Sequence, residues 1–199
     1  MKRIAVTGGI GTGKTLLTDY LAEKYTVVDT DVIAHAITAP GGKAIPLIRS
    51  RFGEEVLAPD GSMDRKKMAA IVYQDAEKRR DIEEIQRRII FEESEKQLRA
   101  AEKRGEPAAF LAAPLLFEQG MEKHYDEVWL ITADRETRIG RVMKRDGRTR
   151  EEVLRILDAQ LPEEEKMKRA DRVFHNDGTP ETLFREAEET LVLSLKSTV

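Results

Sequence analysis

Eight residues near the start of the chain, Gly8-Gly9-Ile10-Gly11-Thr12-Gly13-Lys14-Thr15, fit the spacing G-x-x-x-x-G-K-[ST]. Glycines at these positions let successive backbone N–H groups curl around a polyphosphate, and a helix starting there adds positive potential. A lysine at the seventh position reaches the β- and γ-phosphates, and the hydroxyl after it ligates Mg²⁺. The pattern is a phosphate-binding P-loop if a strand precedes it and a helix follows. Ile4-Ala5-Val6 supply the first, and Leu16, Leu17, Tyr20 and Leu21 the second. A glycine-rich turn followed by lysine is the plain alternative, and the strand–loop–helix setting argues against it.

Two further groups have residue types suited to phosphoryl transfer. Asp29 and Asp31 close a short apolar run, Thr26-Val27-Val28. In open α/β sheets, ligands lie outside the carboxyl ends of parallel strands, where both the P-loop and this pair are expected. The transition state is loose, so an ordinary Asp suffices to orient an acceptor hydroxyl. Helix capping competes for one of the two, so Asp31 is assigned to chemistry and Asp29 to support. Arg138, Arg141 and Arg145 recur three and four apart and share a helix face. That face is either solvated surface or a lid that stabilises charge on the transferring group.

The elements that must position these groups alternate strand and helix. Strands are expected at residues 3–7, 26–29, 107–113, 127–132 and 172–175, with helices at 14–24 and 32–37 and a terminal helix from about 179. The architecture expected is a three-layer α/β P-loop NTPase fold with a five-stranded parallel sheet. Residues 38–104 lack strand character and read as a helical insertion. Ile82, Ile85 and Ile89 keep helical spacing there within a highly charged helix,. Residues 135–162 read as a helical lid, with Gly147 ending its first helix and Thr149-Arg150-Glu151-Glu152 capping the next. Val153, Ile156, Leu157 and Gln160 fall on one stripe. The remainder, 1–37, 105–134 and 163–199, forms the nucleotide-binding core.

Bulk properties narrow the class. With 199 residues, the chain is one domain or one core with insertions,. A net charge of −3 makes no case for nucleic acid or a membrane surface as partner,. No cysteine is present, which removes thiolate chemistry and disulfides, and three scattered histidines make no metal cluster,. The first apolar run is short and leads into the P-loop, so a signal peptide is not expected and a cytoplasmic enzyme is. No N/T-K-x-D or D-x-x-G sequence occurs, which argues against a guanine-nucleotide switch. The most apolar strand ends Leu111-Ala112-Ala113-Pro114 without an acid, so the acids of the site come from elsewhere.

Taken in order, the motifs resemble those of the dephospho-CoA kinase family, from about residue 3 to 185. Thr7 to Thr15 is similar to the family's T-G-G-I-G-S-G-K-S, and Asp29-Thr30-Asp31-Val32-Ile33-Ala34 to its D-A-D-x-I-A. Phe52-Gly53 and Asp60-Gly61-Ser62-Met63-Asp64-Arg65 resemble F-G and D-G-x-L-D-R, and Pro114-Leu115-Leu116-Phe117-Glu118 matches P-L-L-F-E. Arg141, Arg145, Gln160, Lys166, Ala170-Asp171, Asn176 and Gly178 fall where its later motifs fall.

The resemblance implies ATP-dependent phosphorylation of the ribose 3′-hydroxyl of dephospho-CoA, the last step of coenzyme A biosynthesis. Asp31, Lys14 and Arg145 would be catalytic. Gly9, Gly11, Thr12, Gly13, Lys14, Thr15, Leu16, Arg141 and Asn176 would bind ATP, with Thr15 on Mg²⁺. The acceptor would meet Asp31, Arg65, Arg87, Leu116, Phe117 and Glu118. Three departures stand out: Arg87 and Arg88 replace a usual His-Pro, Ala112 a frequent Asp, and Arg138 a usual Gln. The first leaves open a related kinase with another nucleotide-like or small-alcohol acceptor. A non-catalytic nucleotide-binding protein is the third reading, opposed by intact Lys14, Thr15 and Asp31.

Overall fold

A computed structural model describes residues 1–196. Five strands form one sheet: β1 (Lys2–Thr7), β2 (Thr26–Asp29), β3 (Ala108–Ala112), β4 (Glu127–Thr132) and β5 (Arg172–His175), in the order β2-β3-β1-β4-β5. The β1–β3, β1–β4 and β4–β5 pairs are parallel. β1 is central, and the connection after it leads to one edge while β4 and β5 fill the other side. The carboxyl end of a central strand flanked this way is where a ligand crevice opens in such sheets.

Two compact units are distinguished. One comprises residues 1–28 with the chain from Leu98 onward, and the other Asp29–Gln97.

In the first unit, α1 (Lys14–Ala22) follows the P-loop and α9 (Pro180–Lys196) closes the chain. Their apolar stripes, Leu17 and Leu21 from α1 and Leu183, Ala187 and Leu191 from α9, are buried with Ile4, Val6, Phe110, Trp129, Ile131 and Phe174. Trp129 meets Phe110 and Phe174 at ring-centroid distances of 5.6 and 5.1 Å, which anchors the middle of the sheet,. Its indole N–H donates to Glu127, whose carboxylate also accepts from Ser194 at 2.6 Å. Burial pushes Glu127 upward, but those two hydrogen bonds and the Lys2 and Arg172 charges together hold it below the usual carboxylate range.

After β4 come α6 (Arg135–Asp146), α7 (Arg150–Asp158) and α8 (Glu163–Arg169). Gly147 ends α6 in a left-handed conformation, and both arms of the Thr149/Glu152 capping box are formed. Ile139, Val142 and Val153 make a small core against which Ile10 of the P-loop, Leu154 and Leu157 pack. Helix α7 stops at Asp158, so Gln160 lies beyond the stripe expected to include it. The sequence pattern does not indicate α8.

The second unit is helical. α2 (Thr30–Thr38) begins two residues earlier than the sequence pattern indicates, because Asp29 caps it. α3 (Ile45–Phe52) ends at Gly53, and a short 3₁₀ turn and an Asp60-Gly61-Ser62 turn lead to α4 (Arg65–Gln74), capped by the Asp64 carboxylate. The residues resembling F-G and D-G-x-L-D-R are therefore mostly punctuation: a helix stop, a turn and a cap. Helix α5 (Ala76–Lys103) continues into the first unit, with Ile82 and Ile89 buried.

Candidate active site

The P-loop is built by its own backbone and by side chains that arrive from elsewhere. Gly13 sits at φ 90° as the N-cap of α1, and among the described residues no side chain caps the helix's first N–H groups. A helix leaves those N–H groups without internal partners, so at this end they face the hollow of the loop. Lys14 makes no hydrogen bond or ion pair among the described residues, and Thr15 is exposed in the first turn. Thr12 is buried, and its hydroxyl donates to the Gly9 carbonyl at 2.9 Å, closing the loop on itself. Leu16 is partly exposed beside Thr15.

The arginine face of α6 divides. Arg138 is 7% exposed, which overturns solvated surface as its reading. Its Nε donates to the Ile10 carbonyl at 3.0 Å, Nη1 to Glu163 at 3.0 Å and Nη2 to Gln160 at 3.4 Å. Arg141 donates to the carbonyls of Gly11, at 3.5 Å, and Asn176, at 2.8 Å. Arg145 is exposed, and both its Nε and Nη2 bond the adjacent Asp146, which raises the already high guanidinium pKa. Asn176 is buried, with its amide donating to the Thr12 carbonyl at 2.8 Å. It therefore reaches the P-loop through the loop's backbone. Lys166, 1% exposed, faces this cluster; burial lowers its pKa, Glu163 and Glu118 pull it back up, and Arg138 lowers it further.

The Pro114–Glu118 stretch is held from below. The Arg169 guanidinium lies 4.7 Å from the Phe117 ring centroid and donates to the Phe117 carbonyl at 3.0 Å. Leu116 is fully buried and Phe117 is 3% exposed, so both side chains pack in the core and do not line an open cleft. The expectation that they meet the acceptor therefore has no exposed side chain behind it at these two positions. Glu118 is exposed and accepts the Leu161 N–H at 3.3 Å.

In the second unit, the Asp29 carboxylate accepts the N–H groups of Asp31 and Val32. Capping thus falls to Asp29. The Asp31 carboxylate is exposed and has no hydrogen bond or ion pair among the described residues. Arg65 is exposed, with Nη2 3.2 Å from His35 Nδ1. Arg87 and Arg88 are exposed on α5, paired within the helix to Glu84 and, at 4.0 Å, to Glu92. Among the described residues, no helix is long and apolar enough to cross a membrane.

Sequence reasoning marked Arg138 as part of a helix face and Gln160 and Lys166 as motif positions, but missed that Arg138 bonds Gln160 and Glu163 and that Arg138 and Gln160 bond the loop. No local signal marks these pairings, because Ile10, which bonds both Arg138 and Gln160, lies 128 residues before Arg138.

A P-loop after the central strand of a 2-3-1-4-5 parallel sheet, with arginines on the helix after β4, defines a P-loop kinase of the small-molecule class. A shikimate kinase from Acinetobacter baumannii shares this fold, with a TM-score of 0.52 at 16% identity and coverage of 100% of this chain and 96% of that one. The family model described as Dephospho-CoA kinase matches residues 2–181. The chain belongs to the dephospho-CoA kinase family, phosphotransferases with an alcohol group as acceptor. It is 41% identical over 190 residues to the dephospho-CoA kinase of Geobacter sulfurreducens, covering 95% of this chain and 96% of the relative. Identity to that of Burkholderia pseudomallei is 44% over 179 residues, covering 89% and 87%. Among solved structures, a Thermus thermophilus protein superposes with a TM-score of 0.81 at 36% identity, covering 96% of each chain. A dephospho-CoA kinase from Campylobacter jejuni gives 0.72 at 26%, covering 100% of each.

Proposed function

We propose that the P-loop of this family member holds ATP for transfer of its γ-phosphoryl group to the ribose 3′-hydroxyl of dephospho-CoA. The product is coenzyme A, and the reaction the last step of its biosynthesis. The observation that carries the reading is the first turn of α1 behind the glycine loop, where, among the described residues, no side chain caps the N–H donors and Lys14 makes no hydrogen bond or ion pair, and where Thr15 is exposed. This donor set suits a triphosphate. It also suits Mg²⁺, which takes one hydroxyl ligand together with phosphate oxygens and water. Bound there, the ion would neutralise phosphate charge.

Gly9, Gly11, Thr12 and Gly13 shape the cradle, Leu16 flanks it, and Arg141 and Asn176 fix its carbonyls. Asp31 accepts or orients the proton of the acceptor hydroxyl, and its freedom from capping supports that role. Lys14 and Arg145 meet the charge that develops on the transferring group. Arg145 can leave Asp146 cheaply, because an exposed ion pair is worth only about 0–1 kcal/mol. Residues 38–104 form the acceptor-binding part, with Arg65 and Arg87 available for the acceptor's phosphates, and residues 135–162 the lid. Glu118 is the member of the P-L-L-F-E stretch exposed enough to meet the acceptor. A cytoplasmic setting supplies ATP.

The test is product analysis. Phosphorus NMR and mass spectrometry after incubation with Mg·ATP and dephospho-CoA are expected to show one added phosphate, on the 3′-oxygen. Phosphorylation of another alcohol in preference to dephospho-CoA would shift the reading to a kinase with a changed acceptor.

A further inference from the structure

Three consecutive P-loop carbonyls each accept a side-chain donor from outside the loop. Arg138 Nε reaches the Ile10 oxygen, Arg141 Nη1 the Gly11 oxygen and Asn176 Nδ2 the Thr12 oxygen. A trans peptide is planar, with its C=O and N–H pointing to opposite sides. Fixing the Ile10 and Thr12 oxygens outward therefore turns the N–H groups of Gly11 and Gly13 toward the hollow of the loop. Ile10 is held at its other end too, because its own N–H donates to Gln160 Oε1 at 3.2 Å.

Arg138 and Gln160 are joined to each other at 3.4 Å, and Arg138 is held from behind by Glu163, which faces buried Lys166. The pair closes directly over Gly9. A Cβ at Gly9 would sit 2.3 Å from Arg138 Nη2 and 2.8 Å from Gln160 Oε1. Gly9 does not have a positive φ, so a side chain there would displace the tips of the closing pair and would not strain the backbone.

We propose that Arg138 and Gln160 are positioning residues for phosphoryl transfer: together they grip both ends of Ile10 and hold the P-loop amides in the orientation that stabilises the transferring phosphoryl group. This rests on the reading that the loop holds ATP. Preorganised donors of this kind act mainly on the transition state, where charge develops. The pair also ties the start of α6 and the segment after α7 to the loop, so the region expected to be a lid is anchored at both places.

The test uses the full-length protein with Arg138→Met, Gln160→Met and Gln160→Glu, the last of which keeps an acceptor oxygen for the Ile10 N–H. Steady-state kinetics with Mg·ATP and dephospho-CoA are run per folded molecule. Amide exchange is followed by NMR without substrate. In Gln160→Met the Ile10 amide is expected to exchange up to about tenfold faster, while the β1 amides of Ile4 and Val6 stay unchanged. For Arg138→Met and Gln160→Met, kcat is expected to fall about 10–100-fold while KM for the acceptor stays within about twofold, and Gln160→Glu recovers most of the loss. If Arg138→Met fails to fold, the two Gln160 variants carry the test. Unchanged Ile10 exchange in Gln160→Met overturns the proposal. So does faster exchange with unchanged kcat, or a loss that tracks thermal stability alone. The exchange readout needs no turnover, so it stands apart from whether the wild-type protein phosphorylates dephospho-CoA.

Discussion

Two helices carry arginines that look alike in sequence and differ in structure. On α6, Arg138 and Arg141 turn onto the P-loop backbone, and Arg138 is buried. On α5, Arg87 and Arg88 stay exposed and, among the described residues, pair with carboxylates of their own helix. Arg138 is already committed to a carbonyl, a carboxylate and an amide, so it is not available to a ligand. Arg87 and Arg88 lose little by exchanging a solvated ion pair for a phosphate. Spacing alone does not separate a guanidinium that builds a site from one that remains free to bind. What lies opposite the helix does.

Lys14 gives the largest expected effect, because it is the P-loop lysine proposed to meet the phosphates and makes no hydrogen bond or ion pair among the described residues. Lys14→Met is expected to lower kcat/KM for ATP by about 10²–10³-fold with little change in melting temperature, as for loss of one transition-state donor. A loss below about tenfold would move the charge stabilisation to Arg145.

Arg87 sharpens the other side of the comparison. Arg87→Ala is expected to raise KM for dephospho-CoA about tenfold with kcat and KM for ATP unchanged, consistent with one charge-assisted phosphate contact. No change in acceptor KM would return Arg87 to the solvated face of α5.

The smallest effect concerns a buried acid that serves the fold. Glu127 titrates below the usual carboxylate range in the folded state, so its stabilising contribution is full above that range and is lost as pH falls through the folded value,. Thermal melts of Glu127→Gln are expected to show a shallower loss of stability than wild type as pH is lowered past about 4, the ordinary glutamate range. Parallel pH profiles would remove Glu127 from the account.

Much of this arrangement is legible in the sequence, and the exceptions have physical causes. The P-loop, the strands, the Gly147 stop and the Thr149–Glu152 capping box are local patterns, and local patterns survive folding. Helix α8 escapes because only Met167 of its seven residues is apolar, and its buried position is filled by Lys166. Such a segment has no hydrophobic period to read. The burial of Arg138 escapes because arginine ordinarily marks surface, and its partners come from distant segments. Leu116 and Phe117 belong to a motif that reads as functional, yet their side chains fill the core. The choice between Asp29 and Asp31 needs the cap itself, which the backbone geometry of α2 gives to Asp29.

The central claim is that Asp31 works on the hydroxyl of dephospho-CoA while the P-loop presents ATP. It is tested most directly by ADP release from Mg·ATP with and without dephospho-CoA, in wild type and Asp31→Asn, alongside ATP binding by both. The expected result is strong stimulation by dephospho-CoA in wild type, and its loss in Asp31→Asn with ATP binding retained. Equal ADP release with and without dephospho-CoA in wild type, or undiminished stimulation in Asp31→Asn, would contradict it.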